Sequence, residues 1–134
     1  MEKFGSCTIS YEGDVDTLVF DWGKIQFLSD ARTTGAKPMS FGSVRLEPGK
    51  GHARHNHPDA DEYIYVVSGT GEQMLDDHPP VPIRPGACIW IPIGVYHSTL
   101  NTGSEPLHLV VVYNPSGPEE GLRTMPDVQI IPPK

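Results

Sequence analysis

Apolar and polar positions alternate along most of this chain with a period of about two, the spacing of a strand that has one covered face. Between Thr17 and Leu28, Leu18, Phe20 and Trp22 form one run and Ile25 and Phe27 a second. Gly23 and Lys24 lie between the runs, so a hairpin or two short strands meeting at a turn is expected. Asp30 to Lys37 is polar, broken by Gly35, and reads as a loop. A strand from Pro38 to Leu46 follows, with Val44 and Leu46 on one face, and Pro48 and Gly49 end it. His52 to His57 reads as the next strand, the loop from Pro58 to Asp61 turns it, and Glu62 to Val67 returns. That returning run is apolar or aromatic on both faces. With Glu62 pointing inward, Ile64 and Val66 do so too, while Tyr63 and Tyr65 point outward and neither is expected to be catalytic.

Gly69 and Gly71 mark a turn before a short strand from Glu72 to Leu75. Asp76 to Pro82 reads as a proline-rich turn that leaves His78 exposed. Ala87 to Ile91 forms a strand, Pro92, Ile93 and Gly94 bend the backbone, and His97, Thr99 and Asn101 alternate along one face of the strand beyond. Leu107 to Tyr113 is strongly β-prone, with His108 opposite Leu109 and Val111; alternation does not choose between a pocket and the outer surface for it. From Asn114 the chain turns to proline, glycine and charge, with one helical turn expected at Pro118 to Leu122 and an extended tail from Asp127 to Lys134. No stretch longer than about ten residues carries an apolar period of 3.6, which disfavours a core helix. An all-β, antiparallel double-sheet barrel accounts for the pattern.

The chain has 134 residues, 14 of them glycine and 14 proline, which suits one domain of many short strands joined by tight turns. The single domain is expected to span 1–134, with a barrel core of about 38–113, N-terminal strands in 1–37 and a C-terminal extension in 114–134. A formal net charge of −7 without a basic stripe argues against nucleic acid or an anionic membrane as partner. Neither a signal-peptide pattern nor a run of about eighteen apolar residues is present, so a soluble, cytoplasmic protein is expected. Cys7 and Cys88 lack metal-type spacing and are expected to be buried or partly buried free thiols rather than a disulfide framework.

Four side chains carry the candidate chemistry. His55 and His57 are two apart, so on a strand both imidazoles project from one face toward one point. Glu62 follows across a short loop and His97 arrives from a distant strand, giving three imidazoles and one carboxylate. A single strand histidine is more often packed or solvated than a ligand; the spacing of the pair is what makes chelation the better reading. Gly49, His55, His57, Glu62 and Gly69 stand at the spacing of the first sequence motif of the cupin superfamily, and Gly86, Pro92, Gly94, His97 and Asn101 at that of its second. The chain therefore resembles a small single-domain cupin. The resemblance implies a double-stranded β-helix, or jelly-roll barrel, with His55, His57, Glu62 and His97 as ligands of one divalent metal ion.

Neutral imidazoles with one carboxylate suit iron, manganese, zinc, nickel or cobalt, and four protein ligands leave two positions of a six-coordinate ion for water or substrate. Such an ion polarises a carbonyl or enediol oxygen, lowers the pKa of bound water or, as iron, activates dioxygen. Glu62 is the catalytic candidate, since a carboxylate can also serve as general base. His52, Gln73 and Trp90 are candidate substrate contacts, Asp59 and Asp61 candidate orienters of the histidines. The expected function is a mononuclear metal-dependent enzyme acting on a small oxygen-rich metabolite, of dioxygenase or isomerase, lyase or decarboxylase type; the alternative is a non-catalytic small-ligand or sugar-binding module. The apolar outer faces around Tyr63 and Tyr65 predict a homodimer.

Overall fold

Strict in–out alternation builds the inner wall of the molecule, as two central strands show. In β6 (Asp61–Ser68), Glu62, Ile64 and Val66 are buried while Tyr63 and Tyr65 are exposed. In β11 (Leu107–Asn114), Leu107, Leu109, Val111 and Tyr113 face the core. The computed structural model describes residues 1–133 and adds β1 (Glu2–Phe4), β2 (Cys7–Ile9), β3 (Thr17–Phe20), β4 (Gly23–Ser29), β5 (Ser40–Leu46), β7 (Gly71–Leu75), β8 (His78–Ile83), β9 (Cys88–Ile91), β10 (His97–Asn101) and β12 (Gln129–Ile131), with one short helix, α1 (Pro118–Arg123). A seven-stranded sheet in the order β12-β3-β4-β5-β11-β6-β9 faces a three-stranded sheet β10-β7-β8, and β1 and β2 pair apart from both. All pairings are antiparallel. This is the antiparallel double-sheet barrel expected from the alternation, in the jelly-roll form that the cupin resemblance implies.

Phe20, Phe27, Leu46, Val66, Ile91 and Leu109 belong to one apolar cluster between the sheets. Each such side chain contributes about 1.5–3 kcal/mol relative to exposure. The β3–β4 hairpin closes through Gly23, whose φ is +146° and whose Cβ, if present, would lie 2.0 Å from the Arg45 carbonyl oxygen. Only glycine fits that approach.

Several expectations are corrected. The proline-rich stretch expected as a turn contains β8, paired with β7 in the register Glu72↔Pro82 and Gln73↔Val81. As the outer strand of its sheet, β8 accommodates prolines that could not donate to a central ladder. Cys7 and Cys88 are free, as expected, but exposed. The tail pairs with the chain's own β3 in the register Ile130↔Leu18; its last residue, Lys134, lies outside the described residues. Among the described residues, no helix is long and apolar enough to cross a membrane.

Candidate metal centre

The stretch expected as a strand over His52 to His57 meets β10 instead through two isolated bridges, Gly51↔Leu100 and His55↔His97. From Gly51 to His55 the chain advances four positions while β10 advances three, from His97 to Leu100. The extra residue is a bulge, and it changes which way side chains face. Gly51 shares the outward face with Leu100, so His52 turns inward; His55, opposite the inward His97, does the same. On a regular strand His52 and His55, three apart, would face opposite sides. Gly51 is needed here because a Cβ would sit 2.0 Å from the Thr99 carbonyl oxygen.

Reciprocal backbone bonds hold the two liganding segments together, His55 N to His97 O at 3.0 Å and His97 N to His55 O at 2.8 Å. The carbonyl of His57 accepts from Gly94 N at 3.0 Å, which ties the second histidine to the Pro92–Gly94 bend. Glu62 enters from β6. The result is one cluster: the donor atoms of His55, His57, Glu62 and His97 all lie within 4.8 Å of one another.

The tautomers decide what this cluster can hold. His55 Nδ1 lies 2.7 Å from the Ala53 carbonyl and His97 Nδ1 2.9 Å from the Val95 carbonyl. A carbonyl only accepts, so each Nδ1 carries the proton, and each Nε2 presents a lone pair to the centre of the cluster. His97 Nε2 then faces Glu62 Oε1 at 2.9 Å and His57 Nε2 faces it at 3.2 Å. Glu62 Oε1 and the Nε2 atoms of His57 and His97 are buried without a hydrogen-bond partner. Acceptors crowd together in this way when a cation belongs among them. Without one, a proton takes the place: burial pushes His97 down, but the Glu62 carboxylate overrides it and raises His97 above its ordinary value. Burial likewise works to raise Glu62, and His57 and His97, when a proton sits on Nε2 facing Oε1, pull it down to about 2. Burial and the neighbouring imidazoles lower His55. The donor set therefore fits a divalent metal ion, with two imidazoles pre-oriented by backbone carbonyls.

A cavity of about 570 Å³ opens beside the cluster, and His55 and His57 are on its wall. His52 is there too, edge-on to Trp22 with ring centroids 4.1 Å apart, its Nε2 buried and unpartnered. Burial first, then His55, lowers His52 to about 4, so it is a neutral imidazole at physiological pH. Tyr113 lines the cavity with its ring 5.0 Å from that of His57, and burial raises its phenol well above the ordinary value.

The other nominated residues stand elsewhere. Gln73 is fully buried, accepts from Thr99 Oγ1 at 2.6 Å and is not on the cavity wall. Trp90 is 58% exposed on the outer face and donates to Asp61 Oδ2 at 3.1 Å. Glu62 touches His57 and His97 but does not line the cavity. Backbone carbonyls, rather than Asp59 or Asp61, orient His55 and His97. Asn101, the last residue of β10, holds the turn that follows: its amide donates to the Leu46 and Glu105 carbonyls at 2.9 and 2.8 Å. His108 lies 2.8 Å from Ser43 Oγ, away from the cavity. Tyr113, Trp22, Leu122 and Met125 line the cavity without having been singled out. Tyr113 was legible, because it is in phase with the inward Leu109 and Val111.

Fold and ligand geometry together define a jelly-roll barrel with a metal-binding site. The chain belongs to the cupin family: a family model described as the cupin domain matches residues 42–113. It is 35% identical over 100 residues to Protein SchB of Streptomyces halstedii, covering 75% of this chain and 72% of that protein. It is 32% identical over 100 residues to polyketide synthase CurC of Streptomyces cyaneus, covering 75% of this chain and 64% of the relative. The oxalate decarboxylase of Lactobacillus farciminis, solved as a formate complex, superposes with a TM-score of 0.69 at 27% identity, covering 84% of this chain and 36% of that one.

Proposed function

We propose that this chain is a mononuclear metal-dependent enzyme acting on a small oxygen-bearing molecule. The observation that carries the reading is the set of inward, unpartnered donors beside a cavity. His55, His57, Glu62 and His97 would hold the ion, which when bound supplies Lewis acidity at the open positions. His52, neutral and with Nε2 unpartnered on the cavity wall, hydrogen-bonds a substrate oxygen next to the ion. Glu62 acts as ligand and as counter-charge; its carboxylate, held ionised by the imidazoles, offsets part of the charge of the ion.

Elemental mass spectrometry on protein purified anaerobically without chelators tests this directly. One equivalent of iron, manganese, zinc, nickel or cobalt per chain is expected, as is a change in the spectrum of cobalt-loaded protein on adding oxalate. A chain that neither holds nor takes up metal overturns the proposal. We further propose a homodimer formed through the outer face of β6 and β9. There Tyr63, Tyr65 and Trp90 are exposed beside the edge strand β9. Sedimentation at about twice 14.7 kDa is expected, and a monomer at micromolar concentration would refute it.

A further inference from the structure

We infer that the cavity takes an uncharged, largely apolar molecule presenting one chelating pair of oxygens, and that Leu122 and Met125 decide which bodies fit. This rests on the metal-dependent reading above and adds to it the class of substrate. Three observations lead there. First, the apolar part of the wall is built from Trp22, Tyr113, Pro118, Leu122 and Met125. Trp22 is stacked on Phe20, with centroids 4.7 Å apart and planes 8° from parallel, and packed edge-on by His52, so it is a fixed apolar part of the wall. Second, among the described residues no lysine or arginine lines the cavity, whereas Asp21 and Asp127 do. A phosphate or a second carboxylate reaching away from the ion would meet the exposed carboxylates of Asp21 and Asp127 with no cation to pair with, which disfavours it. A neutral body meets no such penalty. Third, about 570 Å³ lies within the roughly 300–1,000 Å³ typical of small-molecule sites, more room than a two-carbon acid needs.

The helical wall is fixed from behind. Arg123 Nη2 lies 2.7 Å from the buried Asp30 Oδ2, Ser40 Oγ donates to Glu119 Oε2 at 3.0 Å, and Arg32 forks onto Glu120 at 2.8 and 2.9 Å. These contacts grip α1 on both sides of Leu122 in sequence and hold Leu122 toward the cavity. Met125 follows one turn later, its N–H bonded to the Leu122 carbonyl at 3.4 Å. The two side chains thus form a shaped lip, and changing them changes the accepted body without touching a ligand atom.

The test uses Trp90→Phe protein, in which Trp22 is the remaining tryptophan of the two in the chain. It is loaded with cobalt(II) and titrated with 1-hydroxy-2-acetonaphthone, a neutral planar chelator, and separately with glucose 6-phosphate. The naphthone is expected to quench Trp22 and shift the cobalt absorption, binding at least tenfold more tightly than the sugar phosphate. Leu122→Arg, which puts a cation on the lip, is expected to narrow or reverse that preference. Met125→Phe, which shortens the cavity, is expected to weaken the naphthone about tenfold. Equal or tighter binding of glucose 6-phosphate to the parent overturns the inference, as does naphthone binding within twofold of the parent in both lip variants. Cobalt is counted on the same samples. Failure to take up cobalt overturns the metal reading and this inference together. A loaded site whose spectrum answers oxalate but whose Trp22 ignores the naphthone overturns this inference alone.

Discussion

Two buried charged clusters lie on either side of α1, and they are completed differently. Beneath the helix, the Asp30 carboxylate accepts from the backbone N–H groups of Arg32 and Thr33 at 3.0 and 2.8 Å and pairs with Arg123 at 2.7 Å. Arg123 also lies over the Phe27 ring, 5.4 Å from its centroid, and reaches Glu120 at 3.0 Å. The chain supplies both signs of charge. In the His55, His57, Glu62 and His97 cluster it supplies acceptors and one carboxylate and leaves the positive member to be added from solution. A closed cluster stabilises a fold; an open one of similar burial is a binding site.

Four measurements would break or sharpen that contrast, from the largest effect to the smallest. His57→Ala removes a ligand from the open cluster, and metal affinity should fall by more than the roughly 100-fold that losing a group bonded to a ligand costs. Equilibrium dialysis against cobalt or zinc reads it, and unchanged stoichiometry and affinity would break the contrast. Arg123→Met opens the closed cluster and strands Asp30. A loss of about 3–5 kcal/mol is expected in urea denaturation, as for other broken buried pairs. A loss below about 1 kcal/mol would mean that α1 docks by its apolar contacts.

The third measurement is pH dependence. Burial works to raise the Asp30 carboxyl, but Arg123 and Thr33 lower it further than burial raises it. A depressed carboxyl contributes stability that is fully present above its ordinary value of about 3.9 and is lost as pH falls through the folded-state value. Asp30→Asn should therefore cost about 1.5–3 kcal/mol at neutral pH, with the gap to wild type narrowing below about pH 4 in thermal melts. A gap that is flat or widens on acidification would remove Arg123 as its cause. The smallest effect belongs to Arg32→Ala. Its pair with Glu120 is 63% and 48% exposed and screened by solvent, so a urea midpoint indistinguishable from wild type is expected.

The cluster of His55, His57, Glu62 and His97 was legible because two kinds of sequence signal coincide on it: a two-residue spacing between His55 and His57, and glycine and proline positions that locate the turns around them. The barrel was legible from the two-residue period and the glycine and proline turns; β6 and β11 are apolar on both faces, and in β6 inside was told from outside by taking Glu62 to point inward. What the sequence did not display was pairing between distant segments. Whether the prolines of β8 sit in a turn or on an outer strand depends on β7 lying alongside. Trp90 follows the same alternation as its neighbours, but its outward direction depends on the Tyr63↔Trp90 register with β6. The bulge at His52 to Arg54 leaves no compositional mark, because it arises from the count of residues between two bridges. The lip residues Leu122 and Met125 lie in a segment whose composition is that of a solvated tail, and the polar contacts behind α1 together with the packing of Leu122 against the core bring them to the cavity.

The single surplus residue between Gly51 and His55 gives the chain two independent addresses within one loop. His55 and His57 keep their phase with each other and with His97, while His52 is set by a separate count from Gly51. Deleting Ala53 would restore an even ladder with His52 opposite Thr99 and two positions from His55, so both imidazoles would still face inward. The bulge can thus gain or lose a residue with His52 still on the cavity side and the histidine pair still in step, a tolerance of length that a continuous strand would not have.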